Sequence, residues 1–264
     1  MRLTTTFAFL TLSVSSLLAQ APAINAGGVM NTAGSPSNAA IAPGALVSIF
    51  GTNLASGMTL SDSVPLSTNV GGTTVTIGGV AAPIQFASPT QINVQAPWGI
   101  ALSDSAGPAA VVVTNGGTPS APATVTVAAS APAIYNIGGQ GIAVNSDGTL
   151  AAPANSIPGI PTRPAVIGDP KGLIIFATGM GPVDTPLTDG ANSADQTRNT
   201  LNAPTVMIGG VAAQVTFSGL SPQFPGVNQI NVTLPAGTPT GNNVHLQIQV
   251  NGVSSNVAAI AVSQ

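Results

Sequence analysis

The stretch "TVTIGGVAAPIQFASPTQINVQAPW" (residues 74–98) returns as "TVMIGGVAAQVTFSGLSPQFPGVNQINVTLP" (residues 205–235). Ile77–Ala82 is matched by Ile208–Ala213, and Gln91–Val94 by Gln229–Val232. A repeat of this extent decides the fold before any single element does, because each copy must be one structural unit. In both copies a Gly-Gly pair separates two runs rich in Val, Ile and Thr. That is the sign of a two-residue hairpin turn whose central residues both take φ > 0.

Outward from the hairpin, short β-rich runs recur at residues 45–50, 73–77, 80–86, 91–95, 109–114 and 121–127. They recur again at 173–176, 205–208, 211–217, 229–233, 244–250 and 256–262. Gly, Pro, Asn or Ser bounds each run, and the 23 prolines leave little room for helices. This pattern predicts an all-β protein of two tandem Ig-like β-sandwich domains. The spacing from Phe50 to Phe176, from Ile77 to Ile208 and from Gln91 to Gln229 grows from 126 to 131 to 138 positions. The second copy has therefore gained five residues in its first long loop and seven between Phe217 and Gln229, as insertions confined to surface loops do.

Between the copies, Gly141–Asn145 and Thr149–Ala152 flank Ser146-Asp147-Gly148 and predict a hairpin, followed by a proline-rich crossing segment. The expected organisation is a signal peptide at 1–19, a first Ig-like domain at 20–136, a connecting hairpin and crossing segment at 137–169, and a second Ig-like domain at 170–264. Residues 1–19 have one positive charge at Arg2, an apolar run from Phe7 to Leu18, and small residues around Ala19. This is the layout of a secretory signal cleaved after Ala19, and the run is too short for a bilayer span. The mature chain is expected outside the cell or on its surface, or in a periplasm, with no membrane span.

Only 4% of the residues are charged, and none of the seven acidic residues is Glu. With the signal removed, Arg163, Lys171 and Arg198 oppose seven Asp, giving a net charge of 3 − 7 = −4. Nucleic-acid binding needs clustered cations to displace phosphate counterions, and this chain has none to cluster. There is no cysteine, so neither a disulfide nor a thiolate metal site supports the fold. Uncharged sheet edges also open a route to self-association, because charge is their usual guard.

"PGALVSIFGTNL" (residues 43–54) followed by "VTIGGVAAPIQFASPTQINVQAP" (residues 75–97) resembles the IPT/TIG module, a small early-set immunoglobulin-type sandwich. The turn Gly51-Thr52-Asn53-Leu54, the hairpin Val75–Ala82 and the stretch Ser88–Pro97 carry the likeness. The chain as a whole is similar to an uncharacterised C-terminal domain family of exported acidobacterial proteins, which pairs two such copies. In the second copy Thr178-Gly179-Met180-Gly181 replaces the turn, so its loops are expected to differ while its core does not. The resemblance implies a fold and export, and no activity.

Motifs that could carry chemistry are few. His245, the single histidine, sits in the alternating run "NNVHLQIQV" and is expected on the solvent face. No Gly-x-Ser-x-Gly elbow or Walker loop occurs, and the seven Asp are scattered beside turn-forming residues. The protein is expected not to be an enzyme and to need no cofactor. Asp184, Asp189 and Asp195 share one loop and are the candidates for a Ca²⁺ site, against the plainer reading of a solvated insertion without metal. Phe50, Phe86, Phe176 and Phe217 fall within strands and are expected in the core. The ligand-binding candidates are Trp98, at a strand end, and Phe224, in the seven-residue insertion. For Trp98, packing against the connection between domains is the favoured alternative. These features predict a non-enzymatic exported adhesion, binding or structural module for an extracellular protein or polysaccharide, with a carbohydrate-binding or enzyme-accessory module as the alternative.

Overall fold

The computed structural model describes residues 20–34, 39–100 and 107–264. The expected signal peptide and Asp104 lie outside the described residues. Strands are the only regular elements among those described, and no helix there is long and apolar enough to cross a membrane.

In the first half, one sheet places Leu46–Thr52 between Ala23–Asn31 and Gln91–Gln95, and continues through Ile84–Ala87 to Thr59–Leu60. The facing sheet places Gly107–Asn115 between Ala123–Val127 and Thr73–Ile77. Alternate residues point inward. Val47 and Ile49, Val75 and Ile77, Ile92 and Val94, and Val111 and Val113 fill one buried core. Each such residue contributes about 1.5–3 kcal/mol by leaving water. The second half has its own core, built from Leu173, Ile175, Val206, Ile208, Ile230, Val232, Leu246 and Ile248 among others. The two cores share no residue. Each half is a β-sandwich.

Both expected hairpins form. Ile77 pairs with Val80 and Ile208 with Val211, with φ of 59° and 81° at Gly78 and Gly79, and 59° and 83° at Gly209 and Gly210. The strand after the turn differs between the halves. Val211–Leu220 runs unbroken through both sheets of the second half, pairing first with Thr205–Ile208 and then with Asn228–Thr233. In the first half the same path is split into Val80–Ala81 and Ile84–Ala87. Pro83 stands where the second copy has Gln214, and a proline has no N–H for a ladder bond. A bulge follows at matching places, between Ile84 and Phe86 and between Val215 and Phe217.

Residues 137–169, expected as a connecting hairpin and crossing segment, pair with strands of the second sandwich. Gln140–Gly141 and Ala165–Val166 pair in parallel with Ala258–Ser263, and Ala143–Asn145 pairs with Leu173–Thr178. Ala143, Ala151 and Ala165 enter the second core, so this segment buries apolar surface that a free linker would expose. The hairpin read within it does form, with Val144 opposite Leu150. Arg163 Nε donates to Asp147 Oδ2 at 2.5 Å and ties it to the crossing segment. That bond, with those from Thr149, holds the Asp147 carboxyl well below the usual range.

The phenylalanines depart from expectation. Phe50, Phe86, Phe176 and Phe217 are half-buried and absent from both cores. Phe50 is out of phase with Val47 and Ile49, and Phe176 with Leu173 and Ile175, so each ring stands on the outer face of its sheet. The repeated Gln-Ile-Asn block obeys the same parity. Ile92 and Ile230 are fully buried. On the opposite face Gln91 Nε2 donates to Asn93 Oδ1 at 2.8 Å, and Gln229 Nε2 to Asn231 Oδ1 at 2.9 Å.

Candidate functional site

The two insertions that distinguish the second copy both dock on the first half. In the loop that carries the acidic residues, Gly190 N–H donates to Gln95 Oε1 at 2.6 Å, and Leu66 N–H donates to the Gly190 carbonyl at 2.9 Å. Gly190 has φ +80°, and an added Cβ would meet the Leu66 backbone at 2.7 Å. Only glycine meets both demands. In the seven-residue insertion, a Cβ on Gly226 would lie 2.7 Å from Leu46 Cγ, so this loop packs directly on the first sandwich.

Thr178 joins these parts. Its buried hydroxyl accepts from Leu46 N–H at 2.9 Å and donates to the Gly226 carbonyl at 2.8 Å. Beside it, Asn31 Nδ2 donates to the Ala131 carbonyl at 3.1 Å, and Ala131 N–H donates to Gly179 O at 2.8 Å. A small apolar seam of Ala42, Ala45 and Ala131 completes the joint. The halves therefore meet through buried hydrogen bonds whose loss would leave polar groups unpaired.

Trp98 lies at this joint, half-buried, its indole packed over Gly44. Its backbone N–H donates to Asp189 Oδ1 at 2.8 Å. The indole Nε1 is buried and has no hydrogen-bond partner among the described residues. Phe224 remains 49% exposed on its insertion.

The three aspartates of the loop serve separate partners. Asp189 binds Trp98. Asp184 accepts from Asn199 Nδ2 at 2.7 Å and from the backbone N–H of Asn199 at 3.1 Å, and these bonds hold its carboxyl below the usual carboxylate range. Asp195 receives Arg198 Nη1 at 2.6 Å and Nη2 at 3.0 Å, a two-pronged pair that brings its carboxyl down to about 2. Arg198 is only 4% exposed and is the hub of the loop, donating also to Ser193 Oγ and the Pro186 carbonyl. Asp195 in turn raises the Arg198 guanidinium. Among the described residues no group of three His, Cys, Asp or Glu is placed to hold a metal ion. His245 is exposed, with Val244, Leu246 and Ile248 buried on the other face of its strand.

Where the outer faces of the two sandwiches meet, an open groove of about 450 Å³ is left. Leu46, Gln85 and Asn93 of the first half face Tyr135, Phe176 and Phe224 of the second across it. None of its lining residues is charged, and most of its surface is apolar. Two buried hydroxyls at its wall, of Thr32 and Tyr135, have no hydrogen-bond partner among the described residues. Tyr135 Oη lies near the Thr32 and Thr178 hydroxyls without closing a bond to either, and burial pushes the phenol up to about 12. Of the two aromatic candidates read from the sequence, Phe224 lines this groove and Trp98 does not. Tyr135 and Phe176 were not among those candidates; the strand phase of Phe176 was the signal that would have found it.

The fold and groove define an Ig-like β-sandwich pair with a junctional cleft. Residues 32–127 match the IPT/TIG domain family model, so the first half is IPT/TIG-like in fold. No curated protein matches the chain. Among solved structures it is similar to the full extracellular region of plexin A4, at 13% identity and a TM-score of 0.24, over 98% of this chain and 20% of that one. The S-layer protein SbsC, domains 5–6, shows 12% identity and a TM-score of 0.23, over 91% of this chain and 98% of that one. The adhesin InvE of Yersinia pseudotuberculosis gives 12% identity and a TM-score of 0.23, over 91% of this chain and 60% of that one. The chain thus spans about a fifth of the plexin structure it matches.

Proposed function

We propose that this protein is an exported, non-enzymatic binding module, with two IPT/TIG-like sandwiches held as one body and a ligand cleft between them. The boundary between the sandwiches falls near Ala131, after the last strand of the first core. The observation that carries this reading is the junctional groove: it is uncharged, open, and bordered by the exposed ring of Phe224. Concave sites lined by aromatic and aliphatic groups with a few polar atoms are the usual form of ligand pockets. The three carboxylates of the inserted loop, Asp184, Asp189 and Asp195, serve separate loop and junction bonds and do not converge as a pair. The partner class is an extracellular protein or polysaccharide.

Two measurements test the reading. Expression of the full chain with a C-terminal tag should deliver it beyond the inner membrane with Gln20 as its first residue by mass spectrometry. Retention of Met1 on a cytosolic protein would contradict export. The purified mature protein should turn over no chromogenic ester or glycoside. Turnover abolished by Asp184→Asn or Asp189→Asn would refute a non-enzymatic module.

A further inference from the structure

The groove at the junction restricts what it can hold. Its lining carries no charge, and the first half has no basic residue at all after Arg2, so an anionic ligand meets no counter-charge there. A purely apolar ligand fits no better. It would cover the amides of Gln85 and Asn93, which line the groove. Covering such groups without giving them a partner is unfavourable.

The available polar groups are specific. Asn93 Oδ1 is already occupied, accepting from Ser48 Oγ at 3.0 Å and Gln91 Nε2 at 2.8 Å, which fixes the amide and turns its Nδ2 donors away from those partners. The Gln85 amide makes no side-chain hydrogen bond among the described residues, and it sits at the bulge between Ile84 and Phe86, where the strand's alternation is broken. A bulge re-aims a side chain, and here the side chain lines the groove. Opposite these amides stand two rings, Phe176 on the outer sheet face and Phe224 on an insertion that the first copy lacks. Neutral donors and acceptors on one wall and aromatic faces on the other suit a ligand with an apolar face and a rim of uncharged hydroxyls. A pyranose ring has both. The volume of about 450 Å³ is in the range of small-ligand sites, enough for a short run of sugar rings and not for a folded partner.

We infer that the groove is a binding site for a neutral polysaccharide, with Phe224 and Phe176 as the stacking rings and Gln85 and Asn93 as the hydroxyl-reading amides. This deepens the reading of the protein as a binding module and rests on it. Because the ligand is neutral, binding is insensitive to salt, unlike the capture of a charged polymer.

The test uses the mature protein in affinity electrophoresis through gels containing laminarin, mixed-linkage β-glucan, arabinoxylan or dextran, with polygalacturonate as the anionic counterpart. Retardation is expected on at least one neutral polymer, unchanged between low and 0.5 M salt on the order set by charge screening. Phe224→Ala should weaken it at least tenfold, the loss of roughly 1.4 kcal/mol that a stacked ring supplies. Gln85→Ala should weaken it severalfold, and Val253→Ser, on an exposed strand outside the groove, should leave it unchanged. Phe224 is half exposed, so its replacement leaves the cores intact, which an unchanged melting temperature verifies. No retardation on any neutral polymer, retardation only on polygalacturonate, or full retention by Phe224→Ala each overturns the inference. If instead an extracellular protein binds and Phe224→Ala abolishes that binding, the polysaccharide assignment falls while the binding module stands.

Discussion

Thr52 and Thr178 occupy the same place in the two copies, the last residue of the first core strand, yet one faces water and the other lies fully buried. The following residue takes a left-handed backbone in both, Asn53 at φ 54° and Gly179 at φ 76°, and the next is buried in both, as Leu54 and Met180. The altered turn of the second copy therefore keeps its backbone. The insertions change what lies above it. With Gly226 and Leu46 laid over that strand end, the Thr178 hydroxyl becomes a relay between halves, and the Asn becomes Gly because a Cβ there would strike the Ala131 carbonyl. One module design thus yields a free end in the first copy and a docking end in the second. Loops, not the core, decide which.

The same contrast orders the expected effects of substitution. Gly190→Val should be the most damaging, since a β-branched residue at φ +80° is strained and its Cβ meets the Leu66 backbone. A loss of about 3 kcal/mol is expected in urea unfolding followed by the fluorescence of Trp98, the single tryptophan. Next comes the matched pair at the strand ends. Thr178→Val leaves the Leu46 N–H and the Gly226 carbonyl without a partner and should cost about 2 kcal/mol. Thr52→Val, exposed, should change stability by less than about 0.5 kcal/mol. Equal effects at the two threonines would break the comparison.

Smaller effects are expected on titration. Tyr135 is the single tyrosine, so its absorbance reports one group, and the midpoint should fall near 12 rather than 10. Because burial raises it, the neutral phenol contributes stability that is complete below pH 10 and is lost as pH rises toward 12. A midpoint at 10 would show the phenol open to water. The Asp195 carboxyl is moved the other way, from 3.8 to about 2, so its contribution is complete above about pH 4 and is lost as pH falls through 2. Asp195→Asn should flatten that acid limb slightly, because the carboxylate is solvent-exposed and its pairing with Arg198 is screened.

Much of the fold was legible in the sequence because strand parity and turn chemistry are local. The runs at 73–77, 91–95 and 205–208 coincide with strands, and both Gly-Gly pairs turn as expected. The strand Ala23–Asn31 was not legible: its Gly27-Gly28 pair and scarce β-branched residues give no period, and it is held by pairing with Leu46–Thr52. The phenylalanines misled because size was weighed above phase. At the site, Phe224 stood out as a ring in an insertion, and Trp98 as a ring beside the joint. What no local pattern carries is that Asp189 reaches Trp98 and Gly190 reaches Leu66, across sequence separations of 91 and 124 residues respectively. Such bonds exist only once two finished sandwiches meet.

The claim that the second copy's loops lock the two sandwiches is tested most directly by a distance. The chain has no cysteine, so spin labels on Thr118→Cys and Val253→Cys, both exposed and in different halves, report one separation without background. Electron–electron resonance should give a single narrow distribution that broadens when Gly190→Val is added. A broad distribution in the otherwise unaltered chain, or one that Gly190→Val leaves narrow, would contradict it.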